Sequence, residues 1–157
     1  MIQMKIFLLS IVLLFSTCKS GQSLDKDSPS SVPFQVLISA SQSNIEEPQR
    51  KIITSQKELE AIFAEINKTR KPEIPIPEID FGTEIVAFVN MGQASTGGHA
   101  VTVHNIDKTA DAVVIHLDET SPKPGDNATM VITTPFTMVK LKKQNLPIVF
   151  NPKMERQ

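Results

Sequence analysis

Three hydrophobic patterns run along this chain, and each predicts a different element. The first is an apolar run from Ile6 to Phe15, interrupted only by Ser10 and preceded by the single cation Lys5. It falls well short of the roughly 20 residues that a membrane-spanning helix needs and has the length of a signal-peptide apolar region. The second pattern is helical. Leu59, Ile62, Phe63 and Ile66 recur at helical spacing within "SQKELEAIFAEINKTRK" and form one apolar stripe. Ser55 with Glu58 three residues on makes a capping box at the start. Lys68, Arg70 and Lys71 gather at the end, where cations suit the helix dipole, and Pro72 stops the helix. The third pattern is alternation. "PFQVLISASQS" predicts a strand with Phe34, Val36 and Ile38 on one face and Leu37 on the other, and "RKIITS" predicts a short strand around Ile52 and Ile53.

From Glu84 onward the chain reads as β. "EIVAFVNM" is apolar on both faces, which predicts a central strand covered on both sides. "HAVTVHNI" and "DAVVIHLDET" predict a hairpin whose Val101 and Val103 face the core with Val113, Ile115 and Leu117. "SPKPGDNA" is a loop. "TMVITTPFTMVKLKK" predicts a long strand broken or bulged at Pro135, and "LPIVFNP" closes the sheet. Three prolines make "PEIPIPEIDFG" an extended connection, with Ile74, Ile76, Ile79 and Phe81 available to pack. Crossover helices are too few for a parallel sheet. The expected fold is therefore α+β: a mostly antiparallel β-sheet of six or seven strands, in a sandwich or partial barrel, with one packed helix.

The start of the chain suggests where the domain sits. Ser16 and Thr17 follow the apolar run and lead to Cys18, the only cysteine. Small residues and then cysteine after such a run resemble the bacterial lipobox, although Phe15 stands where leucine is usual. In that signal the cysteine is lipidated through its sulfur and becomes the new N-terminus, and a diacylated anchor holds stably on a membrane. The expected divisions are a lipoprotein signal peptide at 1–17, a flexible tether at 18–33 beginning with lipidated Cys18, and an α+β domain at 34–157. "KSGQSLDKDSPSSVP" is too polar to offset its own ordering entropy, which fits a tether. The expected location is the cell envelope, outside the cytoplasm.

Charge narrows the partners. The formal net charge is −1, and removing 1–17 takes away Lys5 and no acid, leaving −2. There is no global basic field, and tryptophan and tyrosine are absent, so nucleic acid is not expected. With one cysteine the fold rests on its core rather than on disulfides.

"MGQASTGGHAVTV" is the stretch that most invites a chemical reading. A serine hydrolase elbow, G-x-S-x-G, is missing, because Ser95 follows Ala94 and precedes Thr96. A phosphate cradle would place its glycines before a helix, whereas strand-like residues follow Gly97 and Gly98. The three histidines, His99, His104 and His116, lack metal-ligand spacing. One hairpin register makes His104 and His116 cross-strand neighbours beside Asp118, and exposed histidines on a hairpin are the plainer reading. No cofactor and no metal is expected. Two N-x-[ST] sequences, at Asn67 and Asn127, are set aside because the lipobox is bacterial. The favoured reading is a turn in which Gly97 and Gly98 supply positive φ and His99 starts a strand.

Taken in order, the motifs resemble the PrcB family, named for a lipoprotein subunit that accompanies a secreted subtilisin-like protease. The matching residues are Thr96, Gly97 and Gly98; Pro122, Pro124 and Gly125; and Thr134, Pro135 and Phe136. His99 and Phe136 stand where tyrosine is common, which removes two polar handles. The resemblance implies a non-catalytic accessory or protein-binding domain, with a secreted protease as the partner class. The contact residues it suggests are Gln93, Thr96, Gly97, Gly98 and His99 in one loop and Pro122, Lys123, Pro124 and Gly125 in the other. The turn is also loosely similar to the wedge loop of chagasin-type cysteine-protease inhibitors, but lacks that loop's asparagine and proline. A loop-based inhibitor is thus the alternative, and a hydrolase stands last.

Overall fold

The structure is a computed structural model that describes residues 29–152; Cys18, the signal segment and most of the expected tether lie outside the described residues. Among the described residues, eight strands and one helix follow in the order β1 (Ser30–Ser31), β2 (Phe34–Ala40), β3 (Gln49–Ile53), α1 (Gln56–Asn67), β4 (Glu84–Asn90), β5 (Ala100–Lys108), β6 (Val113–Thr120), β7 (Phe136–Lys142) and β8 (Ile148–Asn151). They form two four-stranded sheets, ordered β1-β5-β6-β8 and β2-β7-β4-β3. All pairs are antiparallel except β6 with β8. The fold is the expected α+β, resolved as a sandwich rather than a barrel.

The sheet containing β4 is the middle layer, and the alternation of "EIVAFVN" explains why. Ile85, Ala87 and Val89 face the other sheet, where they meet Val101, Ile106 and Ile115 among others. Val86 and Phe88 face the opposite way, onto Leu59, Phe63 and Ile66 of α1. All these residues are buried. Each such side chain contributes roughly 1.5–3 kcal/mol on leaving water, so the two cores on either face of β4 and β7 dominate stability. Phe88 and Phe136 meet in a tilted pair with ring centroids 6.1 Å apart.

The helix is capped as expected at its start, with one change. The Ser55 hydroxyl accepts the Glu58 amide at 3.3 Å, but the Glu58 carboxylate turns to the Thr54 amide at 3.0 Å rather than to that of Ser55. That backbone hydrogen bond holds the Glu58 carboxyl below its usual value. At the other end the expected cationic cluster is replaced by a cap from a distant loop. The helix stops at Asn67, before Arg70 and Lys71, and has no base in its last turn. Asn44, with φ of 62°, donates its side-chain amide to the Glu65 and Ile66 carbonyls. Asn67 pairs through its amide with both backbone groups of Ile74, at 2.9 Å each, and so anchors the proline-rich connection. Ile74, Ile79 and Phe81 pack from that connection against the helix-side core, while Ile76 stays largely exposed.

Three strand expectations are corrected. A bulge between Val36 and Ile38 breaks the alternation of β2, so Leu37 and Ile38 both reach the helix-side core and Val36 is left exposed. The long strand through Pro135 begins only at Phe136, because proline cannot donate to a ladder and residues 129–132 run outside it. The chain also joins the sandwich earlier than the expected boundary. Ser30 and Ser31 pair with Lys108 and Asp107, and Val32 is buried with its amide on the Ile106 carbonyl at 2.7 Å.

Candidate functional site

Two loops predicted from sequence meet at one end of the sandwich. The segment after β4 carries Gln93 to His99, and the segment after β6 carries Pro122 to Gly125. They enclose a groove of about 400 Å³ lined by Gly97, Gly98, Ser121, Pro122, Asn127 and Thr129, among others. Backbone pairing ties the 94–97 segment to residues 129–133. Ala94 and Thr133 exchange both backbone hydrogen bonds at 2.8 and 2.9 Å, and the Gly97 amide donates to the Thr129 carbonyl at 2.9 Å.

The two glycines do different work, which corrects the expectation that both supply positive φ. Only Gly98 does, at +86°, and a Cβ there would sit 3.0 Å from Pro122 Cγ. Gly97 has no such φ; it permits close approach, because a Cβ would fall 2.3 Å from Thr129 Oγ1. Gly98→Ala is therefore expected to cost on the order of 1 kcal/mol or more. Gly97→Ala should cost less, since the exposed Thr129 hydroxyl can rotate away. Denaturant melts of the two variants will separate these effects; equal midpoints, both at the wild-type value, would show that this turn does not need glycine.

His99 is the brace between the loops. Its Nε2 lies 3.1 Å from the Thr96 hydroxyl and its Nδ1 lies 3.1 Å from the Ser121 hydroxyl. A nucleophilic serine needs a histidine that a third group orients. Here the second ring nitrogen meets another hydroxyl instead of a carboxylate. Asp126, the nearby acid, is committed to the Lys123 amide at 2.8 Å and so shapes its own turn. The arrangement joins two loops, with a hydroxyl rather than a carboxylate on each ring nitrogen.

Thr96, Gly97, Gly98, His99 and Pro122 thus come together. Gln93 does not line the groove, and its amide donates to the Glu46 carbonyl at 2.8 Å. Lys123, Pro124 and Gly125 form an exposed tip, where Gly125 has φ of +94°. The structure adds residues that sequence reasoning missed. Ser121 completes the His99 brace. Met130, Val131 and Ile132 form an exposed apolar triplet beside Gly97, and their assignment to a long strand through Pro135 concealed them. The signal that could have exposed them was Pro135 three residues on.

The triplet Thr134-Pro135-Phe136 is structural. The Thr134 hydroxyl accepts the Ser43 and Asn44 amides at 2.8 and 3.0 Å, the Pro135 carbonyl accepts the Met91 amide at 2.9 Å, and Phe136 lies in the core. Behind the loops Asn90, buried at the end of β4, ties the same segments together. Its side chain accepts from Ser43 Oγ at 2.7 Å and donates to the Ile45 and Glu47 carbonyls at 3.0 and 2.9 Å.

The remaining histidines lie on the outer face of the β5–β6 hairpin. A bulge at His104 sets Asn105 opposite His116, yet the rings of His104 and His116 stay 5.7 Å apart. Each turns to its own acid, His104 to Asp118 at 3.3 Å and His116 to Asp107 at 3.2 Å. Among the described residues no group of three or more ligating side chains is placed to hold a metal ion.

No curated protein and no solved structure matches the chain. The family model for the PrcB C-terminal domain matches residues 85–142, which run from β4 through both loops to the end of β7. Those residues contain the His99 brace, the groove and the strand pair that supports them, and over that segment the chain is similar to the PrcB C-terminal domain.

Proposed function

We propose that this protein is a non-catalytic accessory domain of the cell envelope. It is tethered through a lipid on Cys18 and docks on a protein partner, a secreted protease being the class the family suggests. The observation that carries the reading is the convergence of the 93–99 and 122–125 loops on one rigid end, with the exposed apolar triplet 130–132 beside them. Loops on a rigid scaffold are where binding residues concentrate. The pairing of His99 with two hydroxyls supports a structural role for the ring.

Crosslinking in native membranes followed by capture tests the partner. Lys123→Glu is expected to weaken capture without lowering stability, and Thr96→Asp, which replaces the hydroxyl paired with His99, to weaken capture with some loss of stability. A captured protease that stays active fits the accessory role; one that is blocked points to the chagasin-like alternative. The purified domain should show no turnover of peptide or ester substrates, and robust turnover abolished by His99→Ala or Ser121→Ala would falsify the non-catalytic reading. Intact mass should show a lipidated Cys18, and an unmodified thiol on the envelope-derived protein removes the anchor.

A further inference from the structure

A second groove lies at the other end of the sandwich. It has a volume of about 530 Å³ and is lined in part by Ser30, Ser31, Glu84, Lys108, Lys140 and Lys142. These residues sit where β4 begins and where β5 and β7 end, whereas the loop end lies where β4 ends and β5 begins. Nine residues of β5 separate the two, or roughly 26 Å of strand. The wall carries three lysines against one glutamate, in a chain whose formal net charge is −1. Glu84 is taken by Lys140, at 3.0 and 3.3 Å. Lys108 and Lys142 are exposed and make no ion pair among the described residues. Two serine hydroxyls join the lysines as partners for phosphate oxygens, and Val32, Pro33, Phe34 and Leu141 supply an apolar remainder of the wall.

We propose that this groove docks on the anionic phospholipid headgroups of a membrane surface and holds the loop end outward. The occupant follows from where the chain goes. Ser30 lines the groove, and only eleven residues, 19–29, separate it from Cys18. Eleven residues can reach ~40 Å at most. The inference rests on the proposed anchor for its geometry: a lipid on Cys18 keeps the groove at high effective concentration beside the headgroups, so weak contacts suffice. Each lysine near an anionic surface gives a factor of about five in binding, so the two unpaired lysines together give about 25-fold.

The test uses the chain from Lys19 to Gln157, which keeps both cores and carries no lipid. It should sediment with vesicles of phosphatidylglycerol and phosphatidylcholine and not with phosphatidylcholine alone. Salt near 1 M, where the Debye length is about 3 Å, should abolish the preference. Lys108→Glu with Lys142→Glu should weaken binding about 25-fold or more at an unchanged melting temperature. Lys68→Glu with Lys71→Glu, the same charge change at the C-terminal end of α1 and outside the groove, should leave it intact. Equal binding by both double variants overturns the proposal, as does full competition by inorganic phosphate at constant ionic strength, which would assign the groove to a soluble anion. The mass of Cys18 separates the two readings: a lipidated Cys18 with no vesicle preference sinks the groove alone, and an unmodified Cys18 with the preference intact sinks the anchor and leaves the groove supported.

Discussion

Replacing Asn90 by alanine is expected to lower stability by about 3 kcal/mol, because it removes three hydrogen bonds from a buried site. Asn90 is 2% exposed. Its loss leaves the Ile45 and Glu47 carbonyls without their amide partner and Ser43 Oγ without its acceptor. Those groups cannot all reach water without opening the 41–48 loop. The melting temperature should fall on the order of 10 °C, with the denaturant midpoint shifting in parallel. The effect should extend to binding, since the same loop fastens Thr134 and, through the Glu46 carbonyl, Gln93. A loss below about 1 kcal/mol would show that the loop relaxes and resolvates, and that Asn90 does not organise the loop end.

The second large effect is expected on partner capture. Met130, Val131 and Ile132 are 89%, 51% and 58% exposed, so aspartate at all three positions removes little core packing. Stability should stay within about 0.5 kcal/mol of the wild type. An apolar anchor at an interface centre contributes about 2 kcal/mol or more, and three charges placed against the partner would add desolvation. Capture should fall about 100-fold or more. Undiminished capture by the triple variant, folded normally by circular dichroism, would move the docking surface away from this triplet. Comparison with Thr96→Asp then shows whether the 93–99 turn acts alone.

Legibility from sequence followed the physics of each element. The start and face of the helix were readable because its stripe and its Ser55 cap are local, whereas its end at Asn67 was not, because Asn44 caps it from a distant loop. β4 was readable because a strand between two layers must be apolar on both faces. The hairpin partners Val101, Val103, Val113, Ile115 and Leu117 were readable because alternation survives wherever the register is regular. It failed at Leu37 and His104, where a bulge shifts parity and sends the next side chain to the other face. The 129–132 segment failed for a related reason. Its composition favours a strand, but no neighbouring strand is in place to pair with it, so propensity gave way to tertiary context.

The sequence by itself determined the fold class, the two-faced central strand, the single capped helix and the two glycine- and proline-bearing loops. Each of these depends on periodicity or on the φ preferences of residues close together in the chain. Only the tertiary structure decided that those loops share one groove, that His99 braces them through Ser121, and that Asn90 and Thr134 fasten the base beneath. It alone also placed Ser30, Lys108 and Lys142 around one groove at the far end. These juxtapositions join residues tens of positions apart, and their geometry depends on strand register and on bulges. Both are selected by the packing of two whole sheets rather than by any local run of residues.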